Sequence, residues 1–129
     1  MLRPELELII GFLPDARFGP AVLVGIGGLL AEMLGRAEVR LAPISEQEAE
    51  ETIARLLVPR GATRRNWRGL DISSAARFLS RFSDIAVAAG DCFEAIEVNP
   101  LAVFGNNGGA VALDCLMLPR GSVDAPYSK

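Results

Sequence analysis

The chain has no histidine, only two cysteines and no unbroken apolar run long enough to span a membrane. Without histidine, any step that needs an imidazole base or a phosphohistidine must use a residue from another domain or chain. The longest apolar run, residues 21–34, is interrupted by glycines and by Glu32. It is too short and too broken to cross a bilayer, so we expect no membrane partner.

The two cysteines, Cys92 and Cys115, lack the spacing of a CxxC motif, and the first residues do not resemble a signal peptide. This usage is typical of a reducing compartment, and we expect a cytoplasmic protein. The sequence favours two buried thiols and leaves a Cys92–Cys115 disulfide open.

What is present indicates one globular domain. The chain has 129 residues, of which 50% are hydrophobic and 22% charged. A domain of this length buries roughly two thirds of its unfolded surface, which is enough for a true core. The net charge of −3 gives no general attraction to nucleic acid or to anionic membranes.

The periodicity of apolar residues predicts strands followed by helices and then a hairpin. Ser45 and Glu48 form a capping box at the start of one helix, and Asp71 caps a second, longer helix. The expected elements are strands at 5–12, 21–24 and 38–42, helices at 46–57 and 72–89, and a hairpin within 94–116. This order predicts an α+β fold, a mostly antiparallel sheet with helices on one face. We expect the domain at 1–118 and a loose tail at 119–129.

The hairpin is the most informative segment. If its turn centres on Asn106-Asn107, Asn99 lies opposite Asp114, with Cβ atoms roughly 5 Å apart. An amide oxygen and a carboxylate at that spacing suit a hard cation such as Mg²⁺, which shares oxygen ligands with phosphates. The residues alone favour a plainer interpretation, in which Asn-Pro starts a turn and Asp114 is a polar strand end.

Several segments, taken in order, resemble one family, the ATP-grasp domain of ADP-forming acyl-CoA synthetases, relatives of the succinyl-CoA synthetase β subunit. They extend from residue 5 to about residue 118 and are Glu7–Gly11, Asp15–Pro20, Gly25–Gly28 with Glu32, Arg40–Pro43, Arg68-Gly69 with Asp71, Glu97–Leu101 and Ala112–Asp114.

The resemblance covers only the C-terminal lobe of a two-lobed fold that holds a nucleotide between its lobes. We therefore expect this chain to be a piece of a longer polypeptide, with the N-terminal lobe and the CoA-binding and ligase domains as partners. The implied reaction interconverts acyl-CoA, ADP and phosphate with acid, CoA and ATP. A histidine on another domain would carry the phosphoryl group, which agrees with the absence of histidine here. The CoA thioester would bind mostly elsewhere.

The resemblance also implies roles for particular residues. Asn99 and Asp114 match Mg²⁺ ligands, and Glu97 matches the glutamate that meets the incoming phosphohistidine. Glu7 matches a residue that binds ATP or ADP, although a solvated strand face explains Glu7 equally well. Gly27 and Gly28 lie in a glycine-rich segment that would let backbone amides approach a phosphate, or would simply form a tight turn.

Other polar residues favour plainer interpretations. Arg40 has the pattern of a strand-surface arginine rather than a phosphate ligand. The arginines around Trp67 suit a solvated or domain-contacting loop, and we expect no binding of nucleic acid.

Two functions remain open from the sequence. The first is part of an active synthetase, inactive when this chain is alone. The second is a regulatory or interaction module beside the catalytic domain of a protein lysine acetyltransferase. A lobe without its partner would expose an apolar face, through which a homodimer could form.

Overall fold

A six-stranded sheet with two helices makes up the part of the chain that the computed structural model describes, residues 4–14, 17–27, 37–57 and 69–121. In chain order the elements are β1 (Leu6–Leu13), β2 (Ala21–Ile26), β3 (Ala37–Leu41), α1 (Glu46–Leu57), α2 (Ile72–Ala89), β4 (Phe93–Val103), β5 (Ala110–Ala112) and β6 (Cys115–Pro119).

The strands follow the order β3-β2-β1-β4, and β5 and β6 share the outer side of β4. Every pairing between them is antiparallel. The predicted α+β fold, an open antiparallel sheet with helices on one face, is therefore confirmed. The 11-residue strand β4 lies at the centre, because it pairs with β1 on one side and with β5 and β6 on the other.

Both helices begin at the predicted caps. The Ser45 hydroxyl accepts from the Glu48 amide at 3.1 Å, and the Glu48 carboxylate accepts from the Ser45 amide at 3.1 Å. This reciprocal pair satisfies two amides that the first helical turn leaves free. The buried residues of the two helices recur at helical spacing and pack against the sheet; they are Ala49, Ile53, Leu56, Leu57, Ala75, Ala76, Leu79, Phe82 and Ala86.

The segment before α1 is fixed to α2 by two serine hydroxyls. Ser83 is fully buried, and its hydroxyl accepts from the Ile44 amide at 3.0 Å. The Ser80 hydroxyl donates to the Ile44 carbonyl at 2.8 Å. These bonds satisfy the backbone of a residue that is itself in the core, where an unpaired amide would be costly.

The sheet has two different faces. Leu6, Leu8, Ile10 and Phe12 of β1 alternate into the core beneath the helices. The intervening side chains point to the opposite side, which we call the open face, because successive strand residues alternate between faces. Glu7, Ile9 and Gly11 lie there, half-exposed.

Some expectations were wrong in detail. Cys92 and Cys115 are free, as expected, but both are exposed. Cys92 lies in the turn after α2, and Cys115 lies on an edge strand. The strand β2 extends to Ile26, two residues beyond the predicted 21–24.

Other expectations lie outside the described residues. They include the short turn or helix that the sequence suggests between Gly28 and Glu32, the arginine-rich loop around Trp67 and most of the expected tail. Within the described residues, no helix has the length and hydropathy to cross a membrane.

Candidate functional site

A bulge in β4 shapes the centre of the open face. The pairing of β1 with β4 shifts register between Leu8↔Leu101 and Ile10↔Val98, so Asn99 and Pro100 together lie opposite the single residue Ile9. Proline has no amide to donate to a ladder, so an inner strand tolerates it at a bulge. Bulges redirect side chains and are common beside active sites.

Asn99 and Asp114 lie opposite each other, as the turn predicted. Asn106 and Asn107 occupy the turn with φ angles of 54° and 58°, which fits a tight hairpin turn. The hairpin keeps one register from Val103↔Ala110 to Ala95↔Leu118. The Asn99 amide donates to the Asp114 carbonyl at 3.0 Å, and both residues are exposed.

Glu97 and Glu7 lie on the same face as this pair. Glu97 precedes Asn99 by two residues and pairs with Gly11 of β1. Glu7 pairs with Ala102, two strand positions from Ile9. Strand spacing therefore gathers the two carboxylates and the Asn99–Asp114 pair within about 10–15 Å of one another.

The glycine-rich end of β2 reaches the same neighbourhood. The Gly27 amide donates to the Glu7 carbonyl at 2.8 Å. A Cβ on Gly27 would come within 3.3 Å of Ile9, so glycine gives the backbone a close approach to β1 here. Gly28 lies outside the described residues.

The donors suit a magnesium ion that is held partly by a nucleotide. Asn99 and Asp114 offer one amide oxygen and one carboxylate on neighbouring strands. Mg²⁺ commonly takes one or two protein oxygens and completes its shell with water and phosphate oxygens. Among the described residues there is no cluster of three or more acidic residues or cysteines that would hold a metal alone. The pair therefore fits a metal shared with a ligand better than a closed metal cage.

Arg40 does not belong to this group. It pairs with Val22, whose side chain is in the core, and so lies on the side of the helices. Its guanidinium donates to the Glu38 carboxylate at 3.2 Å and to the Val39 carbonyl at 2.9 Å. The interpretation of Arg40 as a strand-surface residue agrees with this placement.

Asp71 has a second contact that the sequence did not reveal. Its carboxylate accepts from the Ser74 amide at 3.1 Å and the Ser74 hydroxyl at 2.9 Å, as a helix cap should. The same carboxylate accepts from the Gly109 amide of the hairpin at 2.8 Å. The Asp71 amide also donates to the Phe104 carbonyl at 2.9 Å. Asp71 thus joins the start of α2 to the hairpin that bears Asp114.

These bonds make Asp71 sensitive to acid. The hydrogen bond from the Ser74 hydroxyl, with those from the Ser74 and Gly109 amides, holds the pKa of Asp71 below its ordinary value of 3.8. A carboxyl group whose folded pKa is lowered contributes stability above its unfolded pKa and loses it as the pH falls through the folded value. The contribution is therefore complete at pH 7 and is lost progressively as the pH falls below 3.8 and through the lowered pKa of Asp71.

Asp71→Asn is expected to keep the cap of α2 and to weaken the contact with Gly109. Asparagine caps helices as well as aspartate does, but it loses a charged acceptor for Gly109. We expect a loss of about 1–2 kcal/mol in the free energy of unfolding at pH 7. Urea titrations of both proteins at pH 7 and near pH 3 measure it, and the difference should shrink at the lower pH. A difference that is equal at both values would contradict this account.

Comparisons with known proteins identify the family of this fold. A family model described as an ATP-grasp domain matches residues 1–118. The chain belongs to the ATP-grasp family. Its open antiparallel sheet with helices on one face is the predicted C-terminal ATP-grasp lobe.

Among curated relatives of this ATP-grasp lobe are the β subunits of two ADP-forming acetate–CoA ligases of Pyrococcus furiosus. Ligase II is 31% identical over 122 residues, covering 94% of this chain and 52% of the relative. Ligase I is 32% identical, covering 92% and 50%. The chain thus spans about half the length of these relatives.

Solved structures give the same picture of the fold. A protein of Pyrococcus horikoshii has a TM-score of 0.78 at 30% identity, covering 93% of this chain and 51% of that one. The dinucleotide-forming acetyl-coenzyme A synthetase 1 of Ca. Korarchaeum cryptofilum has a TM-score of 0.71 at 31% identity, covering 91% and 54%. That complex contains coenzyme A and Mg-AMPPCP, with a phosphohistidine segment pointing towards the nucleotide-binding site.

Proposed function

We propose that this lobe forms one wall of the nucleotide site of an ADP-forming acyl-CoA synthetase. The observation that supports it most is the placement of Asn99 directly opposite Asp114 on the open face, with Glu97 two residues away. Relatives of about twice the length are ADP-forming acetate–CoA ligase subunits. Two free thiols fit the cytoplasmic setting that we also propose.

Each residue has a distinct part in this proposal. Asn99 and Asp114 hold Mg²⁺ against the nucleotide, where the metal neutralises phosphate charge during transfer. Glu97 accepts a hydrogen bond from the histidine of another domain and orients its ring. Glu7 accepts hydrogen bonds from the nucleotide, and the neighbouring backbone at Gly27 approaches it without a side chain in between.

In the proposed reaction, the phosphoryl group passes through an acyl phosphate and then through the histidine. Phosphate displaces CoA from the acyl-CoA, and the histidine then takes the phosphoryl group and releases the acid. At the site proposed here, the bond between phosphorus and the imidazole nitrogen breaks as a β-phosphate oxygen of ADP forms a bond to phosphorus. The electron pair returns to the imidazole, and ATP is the product.

The open face also has the features of a surface that binds a partner lobe. Several apolar side chains there are exposed, among them Leu13, Val39, Leu41 and Leu116. Apolar residues on one contiguous face mark an interaction surface. We propose that a second lobe, supplied by the same or a partner polypeptide, covers this face and closes over the nucleotide. Without it the isolated chain lacks half of the site, so we propose weak or absent nucleotide binding, and pairing of two copies through this face.

ATP formation is the test. The complete gene product, with any partner subunit, is supplied with ADP, phosphate, Mg²⁺ and a panel of acyl-CoAs. We expect ATP from at least one acyl-CoA, and we expect the activity to be lost in Asn99→Ala. No ATP from any acyl-CoA, in a well-folded preparation, would refute the proposal and favour the regulatory module of an acetyltransferase.

A further inference from the structure

Gly11 is a glycine that the fold itself does not require. The structure describes the surroundings of nine glycines. Four have positive φ angles, and four have an atom within 3.3 Å of where a Cβ would lie. Gly11 alone has neither property: its φ is ordinary, and nothing lies within 4 Å of that position.

Strand geometry makes this choice more unusual. Gly11 is in the interior of β1, flanked by β2 and β4, where glycine lowers strand stability relative to alanine or valine. The bulge does not explain it, because the extra residue is on β4 and lies opposite Ile9. A strand glycine without a local cause commonly marks a place where another group approaches closely.

The neighbours of Gly11 show what that group would meet. One row across the open face consists of Val39, Leu23, Gly11, Glu97 and Leu116, each paired with the next. Across Gly11, the Cβ atoms of Leu23 and Glu97 are two strand spacings apart, roughly 9–10 Å. The row therefore has a gap one side chain wide, with an aliphatic wall on one side and a carboxylate on the other.

We propose that Gly11 is the access position for the phosphorylated histidine ring of another domain. This rests on the proposed function, which brings such a ring to Glu97. A flat ring lying over Gly11 contacts Leu23 with its apolar face, while a ring nitrogen donates to the Glu97 carboxylate. This chain has no histidine, so the ring must come from outside it. Any side chain at residue 11 would occupy the space that the ring needs.

The test is a size series at residue 11 in the complete enzyme. Wild type, Gly11→Ala and Gly11→Val are phosphorylated on the carrier histidine with acyl-CoA and phosphate and are then mixed with Mg·ADP. We expect Gly11→Val to slow single-turnover ATP formation about 10–100-fold, and Gly11→Ala to have an intermediate effect. The affinity for Mg·ADP should not change.

Two further readouts separate access from folding. Valine suits strands better than glycine, so the melting temperature of Gly11→Val should be equal to or above that of wild type. Ala88→Val is the control, since Ala88 is exposed on α2, on the helix side of the sheet and away from Glu97, and this variant should transfer at the wild-type rate. If the wild type is active and Gly11→Val transfers the phosphoryl group at the full rate, the role of Gly11 is overturned, but the proposed function is not. A wild type that makes no ATP overturns the proposed function as well.

Discussion

Asp114→Ala in the complete enzyme is expected to lower the rate of ATP formation by about 100- to 1000-fold. Asp114 is the charged member of the proposed metal pair, and alanine offers no oxygen in its place. The metal it helps to hold would stabilise charge on the transferring phosphoryl group, so its loss affects the transition state. Asp114→Asn keeps one oxygen ligand without the charge and should have an intermediate rate.

Stability measurements distinguish this effect from misfolding. Asp114 is exposed, and its only described hydrogen bond to Asn99 uses the backbone. The free energy of unfolding should therefore change by less than about 0.5 kcal/mol. Glu94→Ala is a matched control, because Glu94 is an exposed carboxylate on β4 that is outside the metal pair. An Asp114→Ala enzyme with the wild-type rate, or an equal loss in Glu94→Ala, would contradict the metal assignment.

Leu101→Ala is expected to lower the free energy of unfolding by about 2–5 kcal/mol. Leu101 is 0% exposed and lies in β4 between Leu8 of β1 and Ala112 of β5. The loss combines removed apolar contact with the cavity that remains, because the sheet on either side limits relaxation. Against a typical total of about 5–15 kcal/mol, it would be a large part of the stability.

Urea unfolding of the isolated lobe measures this loss as a shift of the midpoint at an unchanged slope. Leu116→Ala is the control of the same residue type. Leu116 lies on the neighbouring strand but is 56% exposed, so its truncation should cost less than about 0.5 kcal/mol at a protein concentration low enough to keep the lobe monomeric. Similar losses for both leucines would show that β4 is not the centre of the core.

Local signals in the sequence explain why much of the fold was predictable. The capping box at Ser45 and the cap at Asp71 identify the helix starts from patterns only a few residues long. The two asparagines of the hairpin turn fix its register, and the register alone places Asn99 opposite Asp114. All these features depend on short-range hydrogen bonds or alternation, which a single sequence displays directly.

The expectations that were wrong depend on long-range neighbours. Exposure of Cys115 follows from the position of β6 at the edge of the sheet, and nothing near Cys115 specifies that position. The contact from Asp71 to Gly109 joins residues 38 apart, and the cap explains Asp71 fully without it. The significance of Gly11 likewise appears only when its partner Glu97 and the empty space beside it are known.

The central position of β4 has a consequence for synthesis on the ribosome. The side of β1 that β4 later covers can pair only after about 80 further residues have been added. At 5–20 residues per second, this interval is roughly 4–16 s. During this interval, β1 and β2 form a hairpin with an apolar, unpaired edge. Such an edge can pair with strands of other nascent chains and start aggregation. Because this edge stays unpaired until β4 is made, the period of greatest risk of aggregation comes before the last strands of the lobe exist.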